Sequence, residues 1–147
     1  MTELPLGKTT TYPDRYAPEL LFGISRNDNR EMLGLGPELP FDGVDVWNAW
    51  ELTWLAPNSM PRVATASILI PADSPRIVES KSLKLYLQSF RNEGIYYEAV
   101  TNRIRDDLAQ AMAPEWLVVV TDWRGRGGIR SRIVATSGEV PVEWLID

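Results

Sequence analysis

The stretch Val78–Phe90, VESKSLKLYLQSF, combines an amphipathic helix with a cluster of polar groups at its start. Its large apolar residues recur at i, i+3, i+4 and i+7, which places them on one face of a helix. They are Leu83, Tyr86, Leu87 and Phe90. A hydroxyl of Ser80 or Ser82 is expected to cap the first turn. The stretch therefore predicts a helix over roughly 80–92 that packs one face against a core.

The start of this predicted helix also carries charges that suit a ligand. Glu79 lies where the positive end of the helix dipole favours a carboxylate. Lys81 and Lys84 add positive charge beside free backbone amides, an arrangement that can hold a phosphate. A carboxylate able to bind an amidine-like heterocycle would thus lie next to a phosphate-binding position. An ordinary capped surface helix with solvated lysines explains the same spacing, so the pattern alone leaves both interpretations open.

Strands are predicted on both sides of this helix. Alternating or Val-rich apolar patterns favour strands over Val44–Pro57, Arg62–Ile70, Trp116–Trp123 and Ile129–Thr136, with Val140–Ile146 as a short edge strand. The first two strands are separated by a short turn and should form an antiparallel hairpin. The last pair should turn at Gly127-Gly128.

A second helix is predicted over about 96–112, between the helix at 80–92 and the later strands. Val100, Ile104, Leu108 and Met112 repeat every four residues and mark its buried face. The opposite face is expected to be solvated and carries Asn102, Arg103, Arg105, Asp106 and Asp107.

The predicted element order is β-β-α-α-β-β. Two antiparallel helices would cover one face of an antiparallel four-stranded sheet, which is an α+β fold. Residues 1–43 are rich in Pro and Gly and are predicted to form an extended N-terminal arm with a helical turn at Pro18–Phe22. Residues 44–147 are predicted to form a single domain.

Composition excludes several kinds of chemistry. The 147-residue chain has a net charge of −5 and contains neither Cys nor His. Disulfides, thiolate nucleophiles, Ser-His triads and His- or Cys-ligated zinc sites are therefore excluded. The acidic charge argues against a nucleic-acid surface, and the lack of an eighteen-residue apolar run argues against a membrane span. No secretion signal is visible at the N-terminus, so a cytoplasmic location is expected.

The octapeptide Glu79–Tyr86, ESKSLKLY, resembles the signature of the NADPH-dependent 7-cyano-7-deazaguanine reductases, and we call it the signature. These are the nitrile reductases of queuosine biosynthesis, a tRNA modification pathway (the QueF family). The similarity continues through LGKTTTYPDRYAPELL, SRNDNRE, LPFDGVDVWNAWELTWL and QSFRNEG. The resemblance implies a tunnelling fold (T-fold), in which subunits join their sheets into barrels and sites form between neighbouring subunits. Tryptophans outside the two helices would then help to cover such interfaces.

The resemblance also implies a set of substrate-binding residues. In the family, the signature glutamate and a second glutamate hold the aminopyrimidinone edge of a deazapurine. The matching substrate-binding positions here are Val78, Glu79, Ser80, Tyr97 and Glu98. Family members usually carry a histidine where this chain has Tyr97, which can still hydrogen-bond. A carboxylate that stabilises the start of the second helix is the alternative interpretation of Glu98.

NADPH is the cofactor that the resemblance implies. Its matching contacts are Ser80 and Lys81 in the signature and Arg126 and Gly127 in the later Arg-Gly-Gly segment. Glycine permits close approach of the backbone, and arginine can bind phosphate with two parallel hydrogen bonds. A glycine hairpin rimmed by arginines is the simpler interpretation of the later segment.

One position departs from the family pattern. The reductases attack the substrate nitrile with a cysteine thiolate, and a nearby aspartate supplies a proton. In the matching segment WLAPNSMPR, Ala56 stands at the place of the cysteine and Arg62 or Val63 at that of the acid. Without a thiolate the covalent route is closed, so no catalytic residue is assigned.

Three functions remain open on this sequence. The preferred one is a half or subunit of a 7-cyano-7-deazaguanine reductase that binds a 7-deazapurine and NADPH. It would assemble as a homo-oligomer or with a cysteine-bearing homologous module. The second is a metal-free T-fold enzyme that acts on a deazapurine or pterin without covalent catalysis, with Glu79, Glu98 and Lys81 as acid and base. The third is a non-catalytic binding module.

Overall fold

The structure, a computed structural model, describes residues 12–26, 42–58 and 60–145, and at Arg126 the backbone alone. The strands are β1 (Gly23–Ser25), β2 (Val44–Leu55), β3 (Pro61–Pro71), β4 (Arg76–Val78), β5 (Trp116–Arg126) and β6 (Ile129–Gly138). The α-helices are α1 (Ser80–Gln88) and α2 (Tyr97–Met112), and short 3-10 helices occupy Pro18–Leu20 and Val142–Trp144. The remainder of the predicted arm, residues 1–11 and 27–41, lies outside the described residues.

The main sheet has the strand order β2-β3-β5-β6, with every neighbouring pair antiparallel. The alternation predicted for β3 is confirmed, because Ala64, Ala66, Ile68 and Ile70 are all buried. Of these, Ala64, Ile68 and Ile70 join one core with Leu117, Val119 and Trp123 of β5. The predicted α+β architecture with two helices on an antiparallel four-stranded sheet is thus confirmed.

Both helices bury the faces that their spacing predicts. In α2, Val100, Ile104, Leu108 and Met112 are at most 1% exposed. In α1, Tyr86 and Leu87 are equally buried, and Phe90 follows directly after the helix. α1 ends at Gln88, earlier than predicted, and the hydroxyl of Ser89 donates to Tyr86 O at 2.5 Å. The indole Nε1 of Trp54 donates to Leu87 O at 2.8 Å.

The structure departs from the sequence prediction in two places. The segment predicted as a terminal edge strand, Val140–Ile146, instead contains the 3-10 helix, with Pro141 at its N-cap; its last residue lies outside the described residues. A second sheet of two three-residue strands, β1 and β4, was missed because strands this short show no period. Gly23 in β1 lies so close to Ala111 O of α2 that a Cβ could not be accommodated there.

The tryptophans divide between the core and the surface. Trp54, Trp116 and Trp123 are at most 7% exposed and belong to hydrophobic clusters of the chain itself. The expectation that tryptophans outside the helices cover subunit interfaces is therefore wrong for these three. Trp50 is 72% exposed and Trp144 is 38% exposed.

Asp107 links the N-terminal arm to both helices. Its Oδ2 accepts hydrogen bonds from the hydroxyls of Tyr16 at 2.5 Å and Tyr86 at 2.6 Å. The prediction that Asp107 lies on the solvated face of α2 is therefore wrong. Desolvation by burial, followed by the hydrogen bond to Asp107, raises the pKa of Tyr16 to about 12 and raises that of Tyr86 still further.

This linkage predicts a loss of stability at alkaline pH. The unfolded chain releases the tyrosine protons near the ordinary pKa of 10.0, whereas folded Tyr86 retains its proton to higher pH. The stability from protonated Tyr86 is therefore complete below pH 10 and is lost as the pH rises. Urea denaturation should show the free energy of unfolding falling with pH more steeply in the wild type than in Tyr86→Phe. The difference in slope should approach about 1.4 kcal/mol per pH unit.

The matched control for this measurement is Tyr12→Phe, which changes a tyrosine that is 44% exposed. Its slope should equal that of the wild type. Equal slopes for the wild type and Tyr86→Phe above pH 10 would show that Tyr86 has an ordinary pKa in the folded chain.

Candidate functional site

The start of α1 is built around the carboxylate of Glu79. Glu79 is the N-cap residue, with Oε1 accepting from Lys81 N at 3.0 Å and Oε2 from Ser82 N at 2.7 Å. Each oxygen keeps a further lone pair for a ligand, since a carboxylate offers about four acceptor sites. The expectation that Ser80 or Ser82 caps this helix is wrong, because Glu79 fills that position.

Ser82 instead fastens the arm to the start of the helix. Its buried hydroxyl donates to Glu79 O at 2.8 Å and accepts from Phe22 N at 3.1 Å. Glu79 N donates in turn to Phe22 O at 3.0 Å. The polar serine of the signature thus has a structural task, and it fixes the backbone from which Glu79 projects.

A cavity of about 490 Å³ opens beside this helix start, between α1 and the edge strand β2. Val78 and Ser80 line it, although Glu79 does not. Its wall also includes Trp47, Trp50, Leu83, Lys84 and Gln88. Among the described residues, Gln88 Oε1 is the buried side-chain atom without a hydrogen-bond partner. Lys81 is half-buried and already engaged in an interaction.

A second cavity, of about 420 Å³, lies where β2, β3 and the start of α2 meet. It is lined by Ala56, Pro57, Asn58, Arg62, Tyr96, Tyr97 and Glu98. The structure thus brings together the positions that match the family's cysteine, acid, histidine and second glutamate. We call this the α2 cavity, and the one beside α1 the α1 cavity.

Two residues that depart from the family pattern contact each other in the α2 cavity. Nε of Arg62 donates to the hydroxyl of Tyr97 at 3.1 Å. The ring of Tyr97 stacks on Trp123, with centroids 3.8 Å apart and an angle of 11° between the planes. Below it, Trp123 Nε1 donates to Thr121 Oγ1 at 2.9 Å, and Thr121 pairs with Thr101 at 2.6 Å. Arg62, bonded to the hydroxyl of a stacked tyrosine, therefore lines the same cavity as Ala56, the position that matches the family's cysteine.

The two glutamates differ in how their carboxylates are used. Within the described residues, the side chain of Glu98 makes no hydrogen bond or ion pair, and Tyr96 is the N-cap residue of α2 without a side-chain cap. The Glu98 carboxylate is exposed and available to a ligand. Its position in the first turn of α2 also suits the helix dipole, so the alternative interpretation still applies.

The predicted substrate-binding residues fall into two groups at opposite ends of the sheet. Val78, Glu79 and Ser80 lie at the start of α1, and Tyr97 and Glu98 lie beyond its other end. The nine residues of α1 alone span about 13 Å, and the two cavities share no lining residue. One small heterocycle therefore cannot touch both glutamates of the same chain.

The predicted NADPH contacts are divided in the same way. Ser80 and Lys81 lie at the start of α1, whereas Gly127 lies in the β5–β6 turn, with a φ of 62° that favours glycine. Because β3 pairs with β5 through Ala64 and Trp123, this turn is at the end of the sheet that holds the α2 cavity. The side chain of Arg126 lies outside the described residues. The predicted NADPH contacts therefore lie towards two different ends of the sheet.

Stability measurements should distinguish the structural role of Glu79 from that of Glu98. Replacing Glu79 with alanine removes both capping hydrogen bonds, so it should lower the free energy of unfolding by about 1 kcal/mol. The matched change Glu98→Ala removes no described hydrogen bond and should alter it by less than about 0.5 kcal/mol. Chemical denaturation checks both. A larger loss for Glu98→Ala than for Glu79→Ala would contradict the assignment of Glu79 as the cap.

The structural roles of two polar residues, Asp107 and Arg62, were not predicted from the sequence. Asp107 lies three residues after Ile104 and seven after Val100, so its spacing already placed it on the buried face of α2. Arg62 gave no such signal, because its contact with Tyr97 joins residues 35 positions apart.

The described residues show neither a metal-binding cluster nor a membrane-spanning helix. They contain no group of three or more carboxylates close enough to hold a metal ion. In that same part of the chain, none of the helices has both the length and the apolar character needed to cross a bilayer.

Comparison with known proteins gives consistent matches. A family model described as nitrile reductase, 7-cyano-7-deazaguanine-reductase N-term, matches residues 12–120. A protein of Bordetella pertussis named NADPH-dependent 7-cyano-7-deazaguanine reductase is 49% identical over 126 residues, which cover 84% of this chain and 46% of the relative. A protein of the same name from Azoarcus sp. is 46% identical over 135 residues, 91% of this chain and 48% of the relative. The chain thus spans about half the length of these relatives.

A solved structure shares the fold. The crystal structure of the archaeosine synthase QueF-Like in the apo form matches with a TM-score of 0.59 and 18% sequence identity. The match covers 69% of this chain and 99% of that chain. At this identity the likeness bears on the fold, and it supports the predicted T-fold.

Proposed function

Since the family model spans most of the chain, the protein belongs to the 7-cyano-7-deazaguanine reductase (QueF) N-terminal family, and we propose that it is one half of such a reductase. It contributes the signature end of a site that binds a 7-deazapurine and NADPH. A cysteine-bearing homologous module contributes the thiolate and the other half of the site. The relatives that match are about twice as long as this chain, which supports a division of one enzyme into two halves.

The observation that carries this proposal is the separation of the two glutamates. Glu79 and Glu98 lie at opposite ends of one chain and line no common cavity. Ala56 offers no nucleophile at the end that holds Glu98. A complete site therefore needs the Glu79 end of this chain to meet the catalytic end of another module.

The residues at the signature end have chemically defined tasks. The Glu79 carboxylate, held by two backbone amides, accepts parallel N–H bonds from the heterocycle with its remaining lone pairs. Val78 and Ser80 line the adjoining α1 cavity and form the part of the site that contacts the heterocycle. NADPH supplies the hydride for nitrile reduction when bound. Ser80 and Lys81 bind it from this chain, and a hairpin equivalent to Arg126-Gly127 binds it from the neighbouring module.

The assembly and setting belong to the same proposal. The described residues from 42 onward belong to the T-fold domain, the described residues 12–26 belong to the arm, and the chain works in the cytoplasm. It forms an oligomer, either with itself or with the cysteine-bearing module, without nucleic acid or membrane as a partner. The second 3-10 helix leaves Val142 and Leu145 exposed at 67% and 45%, which offers apolar surface for such a contact.

Co-expression tests the proposed function. The chain, a cysteine-bearing homologous module and their mixture are each supplied with NADPH and 7-cyano-7-deazaguanine, and NADPH oxidation is followed. Oxidation by the mixture at a rate that neither protein reaches alone is the expected result. Turnover by the isolated chain would instead support a metal-free enzyme, and co-purification without any turnover would support a binding module.

A further inference from the structure

We propose that Asp107 is a positioning residue for Glu79. It ties the signature helix α1 and the arm to α2 through two tyrosine hydroxyls, and it thereby fixes the direction in which the Glu79 carboxylate projects. The inference rests on the proposed function, because it concerns the task of Glu79 as a ligand of the heterocycle. Asp107 lines neither the α1 cavity nor the α2 cavity, so it acts through Glu79 and not by touching the ligand.

The Asp107 carboxylate holds two elements with one oxygen atom. Its Oδ2 accepts from Tyr16 of the arm at 2.5 Å and from Tyr86, the last residue of the signature, at 2.6 Å. Hydrogen bonds of this length to a carboxylate are roughly twice as strong as those between neutral groups. Tyr86 is 0% exposed, and a buried hydroxyl left without a partner is costly. The carboxylate therefore fixes the arm and α1 at a single point on α2.

Aromatic packing directs both hydroxyls toward that point. The ring centroids of Tyr16 and Tyr86 lie 5.0 Å and 5.3 Å from that of Phe90. Cζ of Arg103 lies 5.2 Å from the centroid of the Tyr16 ring. Because these contacts hold the two rings, the hydrogen bonds to Asp107 restrain the backbone of the arm and of α1 as well as the side chains.

The arm carries this restraint to the residue before α1. Glu79 N donates to Phe22 O at 3.0 Å, and Phe22 N donates to the Ser82 hydroxyl at 3.1 Å. The short segment from Tyr16 to Phe22 is thus bonded to Asp107 at one end and to Glu79 at the other. Loss of the Tyr16 contact therefore frees the backbone from which the Glu79 carboxylate projects.

The helix α1 carries the same restraint along a second route. Tyr86 follows Glu79 by about two helical turns, a rise of about 10 Å. An α-helix of this length moves as a rigid element, so fixing the Tyr86 hydroxyl limits both rotation and sliding at the start of α1. Asp107 and Glu79 are linked in this way without being in contact.

A double-mutant cycle in the mixed assembly tests this link. Substitutions at residues that are not in contact and share no partner usually have additive effects, so a strong interaction between these two positions is diagnostic. Asp107→Asn keeps the shape of the side chain and removes its charge. It should lower kcat/KM for 7-cyano-7-deazaguanine about tenfold in the wild-type background and by less than about twofold in Glu79→Gln, because the carboxylate that it positions is then absent. Equal losses in both backgrounds, or no loss in the wild type, would overturn the proposal.

Asp106→Asn is the matched control, because it makes the same change one residue away. Asp106 is exposed and pairs with Arg105, outside the contacts of Asp107. Its kcat/KM should stay within about twofold of the parent protein in either background.

Two further variants keep the cycle decisive if circular dichroism shows that Asp107→Asn does not fold. Tyr16→Phe and Tyr86→Phe each remove one of the two hydrogen bonds and keep the packed ring. Each should lower kcat/KM about threefold where Glu79 is present and leave it unchanged in Glu79→Gln. Equal losses in the two backgrounds would again contradict the link between Asp107 and Glu79.

Hydrogen exchange of the isolated chain gives a readout that does not depend on activity. The amides of Lys81 and Ser82 donate to the Glu79 carboxylate, and their exchange should be about tenfold faster in folded Asp107→Asn than in the wild type. Unchanged exchange at these two amides would overturn the proposal, and faster exchange confined to β5 would show that Asp107 only stabilises the fold as a whole. Faster exchange at Lys81 and Ser82, in an assembly whose Glu79→Gln variant keeps full kcat/KM, would support the restraint by Asp107 and refute the proposed function instead.

Discussion

Replacing Glu79 with glutamine is expected to lower kcat/KM of the mixed assembly for 7-cyano-7-deazaguanine about 100-fold. The change removes the charge from hydrogen bonds that a carboxylate makes to the heterocycle, each worth about 1.5–3 kcal/mol. A loss near 3 kcal/mol corresponds to a factor of about 100. Glutamine has the same length and can still accept one backbone amide at the helix start, so the fold should persist. Steady-state NADPH oxidation measures the effect.

The matched control is Glu115→Gln, which makes the same chemical change at an exposed position outside both cavities. Its kcat/KM should remain within about twofold of the wild type. Denaturation curves for both variants verify that the protein is folded in the assay. A Glu79→Gln assembly that retains more than a third of the wild-type kcat/KM would exclude Glu79 as a ligand of the base.

Replacing Trp54 with alanine should lower the free energy of unfolding by about 3–5 kcal/mol. Trp54 is 1% exposed, and its ring lies 5.8 Å from that of Phe90 and 5.6 Å from that of Trp123. Its indole also donates to Leu87 O at the end of α1. The substitution therefore leaves a cavity between the sheet and the helix and frees a buried carbonyl. Urea denaturation of the isolated chain measures the loss.

Trp50→Ala is the control for this measurement, because it makes the same change four positions away in the same strand. Trp50 is 72% exposed, so its removal should alter the free energy of unfolding by less than about 0.5 kcal/mol. Comparable losses for both variants would contradict the assignment of Trp54 to the core and of Trp50 to the surface.

Local periodicity predicted most of the fold. The four-residue repeat of α2 and the alternation of β3 each report one buried face, and the structure buries those residues. The elements that escaped prediction depend on contacts between distant parts of the chain. β1 and β4 have three residues each and form because the arm pairs with a segment about 50 residues later. No local pattern encodes that pairing.

The candidate site was harder to predict for the same reason. The resemblance singled out Glu79 and Glu98, but nothing in their spacing shows that they lie at opposite ends of the sheet. Nor does it show that Glu79 acts as the helix cap while Glu98 stays free among the described residues. The contact between Arg62 and Tyr97 became visible only once β3 and α2 were placed side by side.

The most direct test of the shared site is the binding of 7-cyano-7-deazaguanine by calorimetry, with the oligomeric state checked by light scattering. Wild-type chain and Glu79→Gln are each titrated alone, as monomers, and again in complex with a cysteine-bearing module. The account predicts that a difference in affinity between the two proteins arises only in the complex, where the wild type binds about 100-fold more tightly. A monomeric wild-type chain that already binds this much more tightly than Glu79→Gln would show that one chain holds the whole site.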